Sequence, residues 1–341
     1  MTADTVVNFE VVTAAGDIVN ANKDENEELW YALKGGGNQF AIVTEFTFQT
    51  FPIDKVWGGY KIYGLDQKDA ILNATHNLVS DFHDPKAAVI VTFSSTLDIF
   101  VDTLVDIFVV FYFYNAPDGP GDILAEFDAI PSLTDATKAD RSYKDMIDDN
   151  SFFSIDGMRY LIRTGTLPNL PGEAGREVYN YTFDSWHELA QEYQYSTLDN
   201  LVFSLAFQPI PHQLANASVN AASGVNLLGL DPDHGDKVFM EYNLSWLLPA
   251  TNEAAADFMT EITQPAQDYA MEKYSDSKPT NWKSGNTSRT NFNPLFMNDA
   301  MYNQHPRRFF GGGIYEKMKG IQRKWDPEGF FRERTGGFKF E

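Results

Sequence analysis

The chain has 341 residues, 43% of them hydrophobic, which is enough for two domains with cores of their own. Its formal net charge of −22 argues against nucleic acid and against anionic membrane surfaces, whose negative charge would repel it. It has no cysteine, so disulfides, thiolate catalysis and cysteine-ligated metals are excluded.

No apolar run is long enough to span a bilayer, and the longest, residues 107–114, reads as a buried strand. The opening MTADTVVNFEVV has neither the basic nor the apolar region of a signal peptide. Sequons at Asn73, Asn216, Asn243 and Asn286 are compatible with a secretory history, although Asn243 falls in an expected strand. Localisation stays open on these signals.

Residues 6–12 and 17–21 alternate around the turn Ala14-Ala15-Gly16-Asp17 and read as a β-hairpin. A strand so close to the first residue reads as a cut through a domain. Residues 24–48 then combine an acidic helix start ahead of Leu29, Trp30 and Leu33, three glycines at 35, 36 and 37, and a β-type run at 41–48. Consecutive glycines let a backbone turn sharply and bring its N–H groups close to a bulky anion such as a nucleotide cofactor. The plainer reading is a helix C-cap.

After Pro52 the register changes, which marks a domain boundary. A strand is expected at 56–63, then a helix at 67–83 built on Ala70, Ile71, Ala74, Leu78, Val79 and Phe82. An antiparallel pair at 87–96 and 103–114 and a helix at 120–129 follow. The order β-α-β-β-α gives an α+β fold, with one large antiparallel sheet covered on one face by helices. Residues 133–149 and 151–163 read as connection and helix.

Further on, a helix is expected at 184–193, strands at 201–209 and 238–246, and a helix at 253–273 that Pro265 is placed to kink. Residues 275–290 read as a surface loop, and 314–324 as a helix. The aromatic content of 14% is more easily explained by core filling than by a stacking pocket. The six histidines fall mostly in polar contexts and are expected at the surface. No HExxH, GxSxG or P-loop pattern appears. Arg332, Arg334 and Lys339 read as a solvated end.

The run from Leu29 to Phe46, LWYALKGGGNQFAIVTEF, resembles the LFWALRGGGGNFGIVTEF element of FAD-linked oxidases of the vanillyl-alcohol oxidase and berberine bridge enzyme type. It is not a GxGxxG fingerprint. The C-terminal blocks NDA at 298–300 with Gln304, DPEGFF at 326–331 and GGFK at 336–339 resemble the fungal branch of that family. So do Gln208-Pro209-Ile210-Pro211, Gly224-Val225-Asn226, Gly229-Leu230-Asp231 and the strand 242–246. These blocks stand in the family's order, and the resemblance spans the chain.

The resemblance implies FAD as cofactor, hydride removal from an alcohol or amine carbon of a small-molecule substrate, and reoxidation by dioxygen. It places residues 1–52 in the later part of the FAD-binding domain, 53–290 in a substrate-binding α+β domain, and 291–341 in a C-terminal segment returning to the FAD domain. It implies cofactor contacts at Gly36, Gly37, Asn38, Phe40, Ile42, Val43, Asn298 and Gln304. The strands 201–209 and 238–246 resemble those facing the flavin, which makes Gln208, Glu241 and Tyr242 the candidates for lining the pocket and supplying a base. Alternation puts Glu241 and Tyr242 on opposite faces, so one of the two is expected to face the flavin.

The loop departs from the family in lacking its fourth glycine and in carrying Ala41 where glycine is common. No segment resembles the family's RSGGHS-like flavin-attachment region, so covalent attachment is not expected from this chain, and an N-terminal half of the FAD domain would have to come from elsewhere. The alternatives are a flavin-free binding or scaffold protein derived from the fold, and a redox-neutral cyclase or isomerase.

Overall fold

The computed structural model describes residues 1–98, 103–151, 156–196, 199, 201–221, 230–285, 294–310 and 313–340. The Asn286 sequon and the Gly224-Val225-Asn226 run lie outside them. In chain order the elements of the first half are β1 (Val6–Val12), β2 (Ile18–Asn22), α1 (Glu27–Leu33), β3 (Ile42–Phe48), β4 (Val56–Gly64), α2 (Lys68–Ser80), β5 (Ala87–Asp98), β6 (Thr103–Tyr114) and α3 (Ala125–Asp128). Then come β7 (Thr134–Asp135), β8 (Lys138–Arg141), α4 (Tyr143–Asn150), β9 (Arg159–Pro168), α5 (Glu173–Ser196) and β10 (Val202–Ile210). The chain continues with α6 (His212–Val219), β11 (Lys237–Trp246), α7 (Asn252–Lys273), α8 (Ile314–Trp325) and α9 (Phe330–Arg334).

These elements form two compact units, one of residues 1–52, 212–232 and 292–341, the other of residues 53–211 and 233–291. The segment 212–232, expected within the 53–290 domain, therefore packs with the first unit. Its helix α6 is tied there by the Ser218 hydroxyl, which donates to the Asp4 carboxylate at 2.7 Å.

In the first unit β1 is the centre of an antiparallel sheet ordered β2-β1-β3. Strand alternation turns Phe9 and Val11 inward, where they meet Leu29, Trp30 and Ala32 of α1 and Met318 and Ile321 of α8. Trp30 is fixed by its indole N–H, which donates to the Val6 carbonyl at 3.1 Å. β3 contributes little to this core, with Ile42, Phe46 and Phe48 all about half exposed.

The second unit is an α+β layer. Its antiparallel sheet runs β7-β4-β6-β5-β10-β11-β9, with β8 also pairing to β4. Helices α2, α5 and α7 pack together on one face. The aromatic residues fill that interface. Phe93 of β5 meets Phe108 at 4.9 Å, Phe183 of α5 at 4.8 Å and Trp186 at 5.6 Å, all edge-on. Each such pair adds about 0.5–1.5 kcal/mol beyond the area it buries.

Several expectations are corrected. Residues 151–163 do not form a helix where they are described, and 159–168 form the edge strand β9. The polarity of β9 is inverted: Arg163 faces the helices and donates to the Thr263 hydroxyl of α7 at 2.8 Å, while Tyr160 lies 65% exposed on the other face. The helix expected at 120–129 is reduced to Ala125–Asp128. α7 continues through Pro265 as one helix. His76 is buried rather than at the surface, because it falls on the apolar face of α2, where its Nε2 lies 2.7 Å from the Leu170 carbonyl.

Candidate functional site

In the first unit the chain leaves α1 through Lys34 and turns at the three glycines. A Cβ on Gly36 would lie 2.2 Å from the Phe40 ring and 2.4 Å from the Ala32 carbonyl oxygen, so this glycine is required by packing inside the unit. Gly37 adopts φ +69°, the left-handed region that side chains disfavour. Gly37 and Asn38 are exposed, whereas Phe40 is fully buried against Phe340.

The C-terminal segment holds this turn. Arg307, 3% exposed, donates from its guanidinium to the carbonyls of Gly36 and Phe338. The Thr335 hydroxyl donates to the Asn38 carbonyl at 3.2 Å, and the Phe340 amide to Gln39 Oε1 at 3.1 Å. Burial pulls the Arg307 pKa down to about 10, because desolvation penalises the charge. Beside it is a cavity of about 150 Å³ that Gln304, His305, Arg308 and Lys339 also line.

Several expected cofactor contacts are placed differently from the sequence reading. Phe40 is a core residue and Gly36 is closed off by Phe40 and Ala32, so neither presents a side to a ligand. Val43 packs half-buried against the core, while Ile42, its neighbour on the opposite face, is 54% exposed. Asn298 is exposed on the short turn Met297–Asp299. Gln304 is buried, and its Oε1 accepts the Met301 amide at 2.9 Å. Lys339 is no solvated end: its ammonium donates to Phe331 O at 3.2 Å and Asn38 Oδ1 at 3.3 Å.

In the second unit the face of the sheet opposite the helices carries a groove of about 450 Å³. Strand period puts Ser204, Ala206 and Gln208 of β10 beside Glu241, Asn243 and Ser245 of β11 on this face, with Ala206 directly opposite Glu241. The Gln208 amide donates to Glu241 Oε2 at 3.1 Å. Across the next pairing the hydroxyls of Ser94 and Ser204 meet at 3.0 Å. The far end of β11 is anchored by Asp199, whose carboxylate accepts the Leu247 and Leu248 amides at 3.1 and 3.0 Å.

Tyr242 is on the other face. It is 1% exposed, its hydroxyl has no hydrogen-bond partner among the described residues, and burial pushes its pKa up. The expectation that Tyr242 lines the pocket is corrected: the pleat gives the open face to Glu241 and the helix-covered face to Tyr242. Sequence reasoning also missed Tyr160, which lines the groove from β9, and Arg307. The one available signal for Arg307 was a pair of adjacent arginines in a strongly acidic chain.

No family model matches the chain. It is 28% identical over 338 residues to an uncharacterized FAD-linked oxidoreductase of Arthroderma benhamiae, covering 98% of the chain and 63% of that protein. It is 26% identical over 344 residues to the FAD-dependent monooxygenase drtC of Aspergillus calidoustus, covering 99% and 60%. The chain is thus similar to FAD-linked oxidoreductases of fungi. The fold agrees: the VAO-type flavoprotein MtVAO713 of Myceliophthora thermophila superposes with a TM-score of 0.65 at 16% identity, over 96% of this chain and 56% of that one. The chain thus spans about three-fifths of the length of these FAD-linked relatives.

Proposed function

We propose that this chain carries the substrate-binding unit and part of the cofactor-binding unit of an FAD-dependent oxidase. Such an enzyme removes a hydride from an alcohol or amine carbon of a small polar substrate and delivers the electrons to dioxygen. The observation that carries the reading is the open face of β10 and β11, where a carboxylate, two amides and a row of hydroxyls converge in one groove of about 450 Å³. This donor and acceptor set suits a hydroxylated substrate.

The first unit offers residues that fit a dinucleotide: exposed Gly37 and Asn38 beside the half-exposed apolar Ile42, with no carboxylate lining the adjoining cavity. When bound, FAD supplies the hydride acceptor. The protein's part is to orient the substrate through Asn243, Ser245 and Gln208 and to hold a proton at Glu241. A carboxylate fixed by an amide donor can take the proton of an alcohol as its carbon loses hydride.

The test is a visible spectrum of the purified chain with FAD added, before and after acid precipitation, followed by a screen of polyols and amines for peroxide release. A yellow protein whose flavin is released by acid, with peroxide formed on a hydroxylated substrate, supports the reading. Protein that stays colourless with FAD, alone and together with an N-terminal FAD-domain half from a relative, would sink it.

A further inference from the structure

The first unit contains an inversion of charge. Acidic residues outnumber Lys and Arg by 48 to 26 over the chain, yet the cavity of about 150 Å³ is lined by Arg307, Arg308 and Lys339 and by no carboxylate among the described residues. Arg307 is buried, and its guanidinium donates to the neutral carbonyls of Gly36 and Phe338. Its Nε has no partner among the described residues. The face of its guanidinium lies 4.8 Å from the Phe340 ring.

Lys339 likewise donates to neutral oxygens, on Asn38, Phe331 and Thr335. The two cations are near enough to repel, and the carboxylate whose attraction reaches Lys339 is Asp326. The oxygens of Asp326 are engaged by the amides of Phe330 and Phe331 at 2.7 and 2.9 Å. A buried cation such as Arg307, with further cations beside it, is costly unless an anion neutralises it. Arginine and lysine together are the usual partners of oxyanions.

We propose that the cavity lined by Arg307, Arg308, Lys339, Tyr302, Tyr315 and Gly337 is a binding site for a phosphate group. Its volume of about 150 Å³ has room for one phosphate group. The site stands on this charge arrangement and not on the flavin reading, so loss of one leaves the other standing. The phosphate has two sources, a free oxyanion or the diphosphate of a dinucleotide.

The test is calorimetric titration of the purified chain with inorganic phosphate at constant ionic strength, with chloride as the control and thermal unfolding as a second readout. Phosphate is expected to bind and to raise Tm by about 2 °C or more at about ten times Kd, with no effect of chloride. Lys339→Met and Arg308→Gln are each expected to weaken phosphate at least about tenfold, the loss of one charge-assisted hydrogen bond. Arg308 is exposed, so its variant keeps the test open if Lys339→Met does not fold.

Equal responses to phosphate and chloride, or wild-type affinity for phosphate in Arg308→Gln, would overturn the proposal. Saturating ADP distinguishes the sources. Competition with phosphate assigns the site to a dinucleotide's diphosphate, and additive binding assigns it to a free oxyanion.

Discussion

Gln208 on β10 donates its side-chain amide to the Glu241 carboxylate of β11 at 3.1 Å, on the face of the sheet opposite α2, α5 and α7. Ala206, directly opposite Glu241, is too small to reach the carboxylate, so the diagonal neighbour does. The contact fixes one carboxylate oxygen in a groove otherwise lined by uncharged residues, polar ones and the apolar Ile90, Val202 and Ala206.

If Glu241 is the base, Glu241→Gln in FAD-reconstituted protein lowers kcat by about 10²–10⁴-fold, with flavin binding unchanged. Gln208→Ala is expected to shift the pH profile of kcat, because it removes the donor that holds the carboxylate. Steady-state peroxide release across pH measures both. Wild-type kcat in Glu241→Gln would remove Glu241 from the mechanism.

Tyr242→Phe removes a buried hydroxyl that has no hydrogen-bond partner among the described residues. A group in that position contributes nothing and has lost its water, so the variant is expected to be unchanged or more stable by up to about 1 kcal/mol. Turnover is expected to stay at the wild-type level. A large fall in kcat, in a variant with unchanged urea denaturation, would return Tyr242 to the catalytic set.

The glycines of the turn differ in what they do. Gly36→Ala forces a methyl into the Phe40 ring and the Ala32 carbonyl and is expected to cost about 1–3 kcal/mol. Gly37→Ala meets the movable end of Arg307 at 2.7 Å and adds about 1–2 kcal/mol of left-handed backbone strain. Denaturant midpoints of both variants check this, with Gly36→Ala expected to be the less stable.

Lys34 is 8% exposed, its ammonium has no hydrogen-bond partner among the described residues, and it lies 3.6 Å from the centre of the Trp30 ring. Burial pulls its pKa from 10.5 down to about 8, against a weaker opposing attraction from Asp4. Between those two values the unfolded chain binds the proton and the folded one does not, so the stability of the wild type relative to Lys34→Met rises with pH from about 8 to about 10.5. The change is expected to be about 1–3 kcal/mol, reduced by any attraction to the Trp30 ring. Urea titrations of both proteins at pH 7 and pH 10 measure it, and a difference that stays flat with pH would exclude the burial cost.

Most long elements were legible because their periods are strong. β6 is a continuous apolar run and α2 repeats its apolar positions at helical spacing, so neither depended on context. β9 was not legible, since Arg163 faces the helices and Tyr160 the open side, and the alternation that signals a strand is scrambled. For the turn at residues 35–37 the position was visible but not the cause, because the crowding of Gly36 comes from Phe40 beyond the turn and from Met318 of α8. His76 looked polar and exposed until the Leu170 carbonyl, 94 residues away in sequence, supplied its partner.

By itself the sequence determined the α+β class, the resemblance to FAD-linked oxidoreductases and the opposed faces of Glu241 and Tyr242, because composition, motif order and strand period are local properties of the chain. Only the tertiary structure decided which of those two faces is open, since that depends on where α5 and α7 pack. It also decided that Arg307 and Lys339 share a cavity without a carboxylate. That charge arrangement arises from the folding of residues 307–339 against the glycine turn, and no local pattern encodes it.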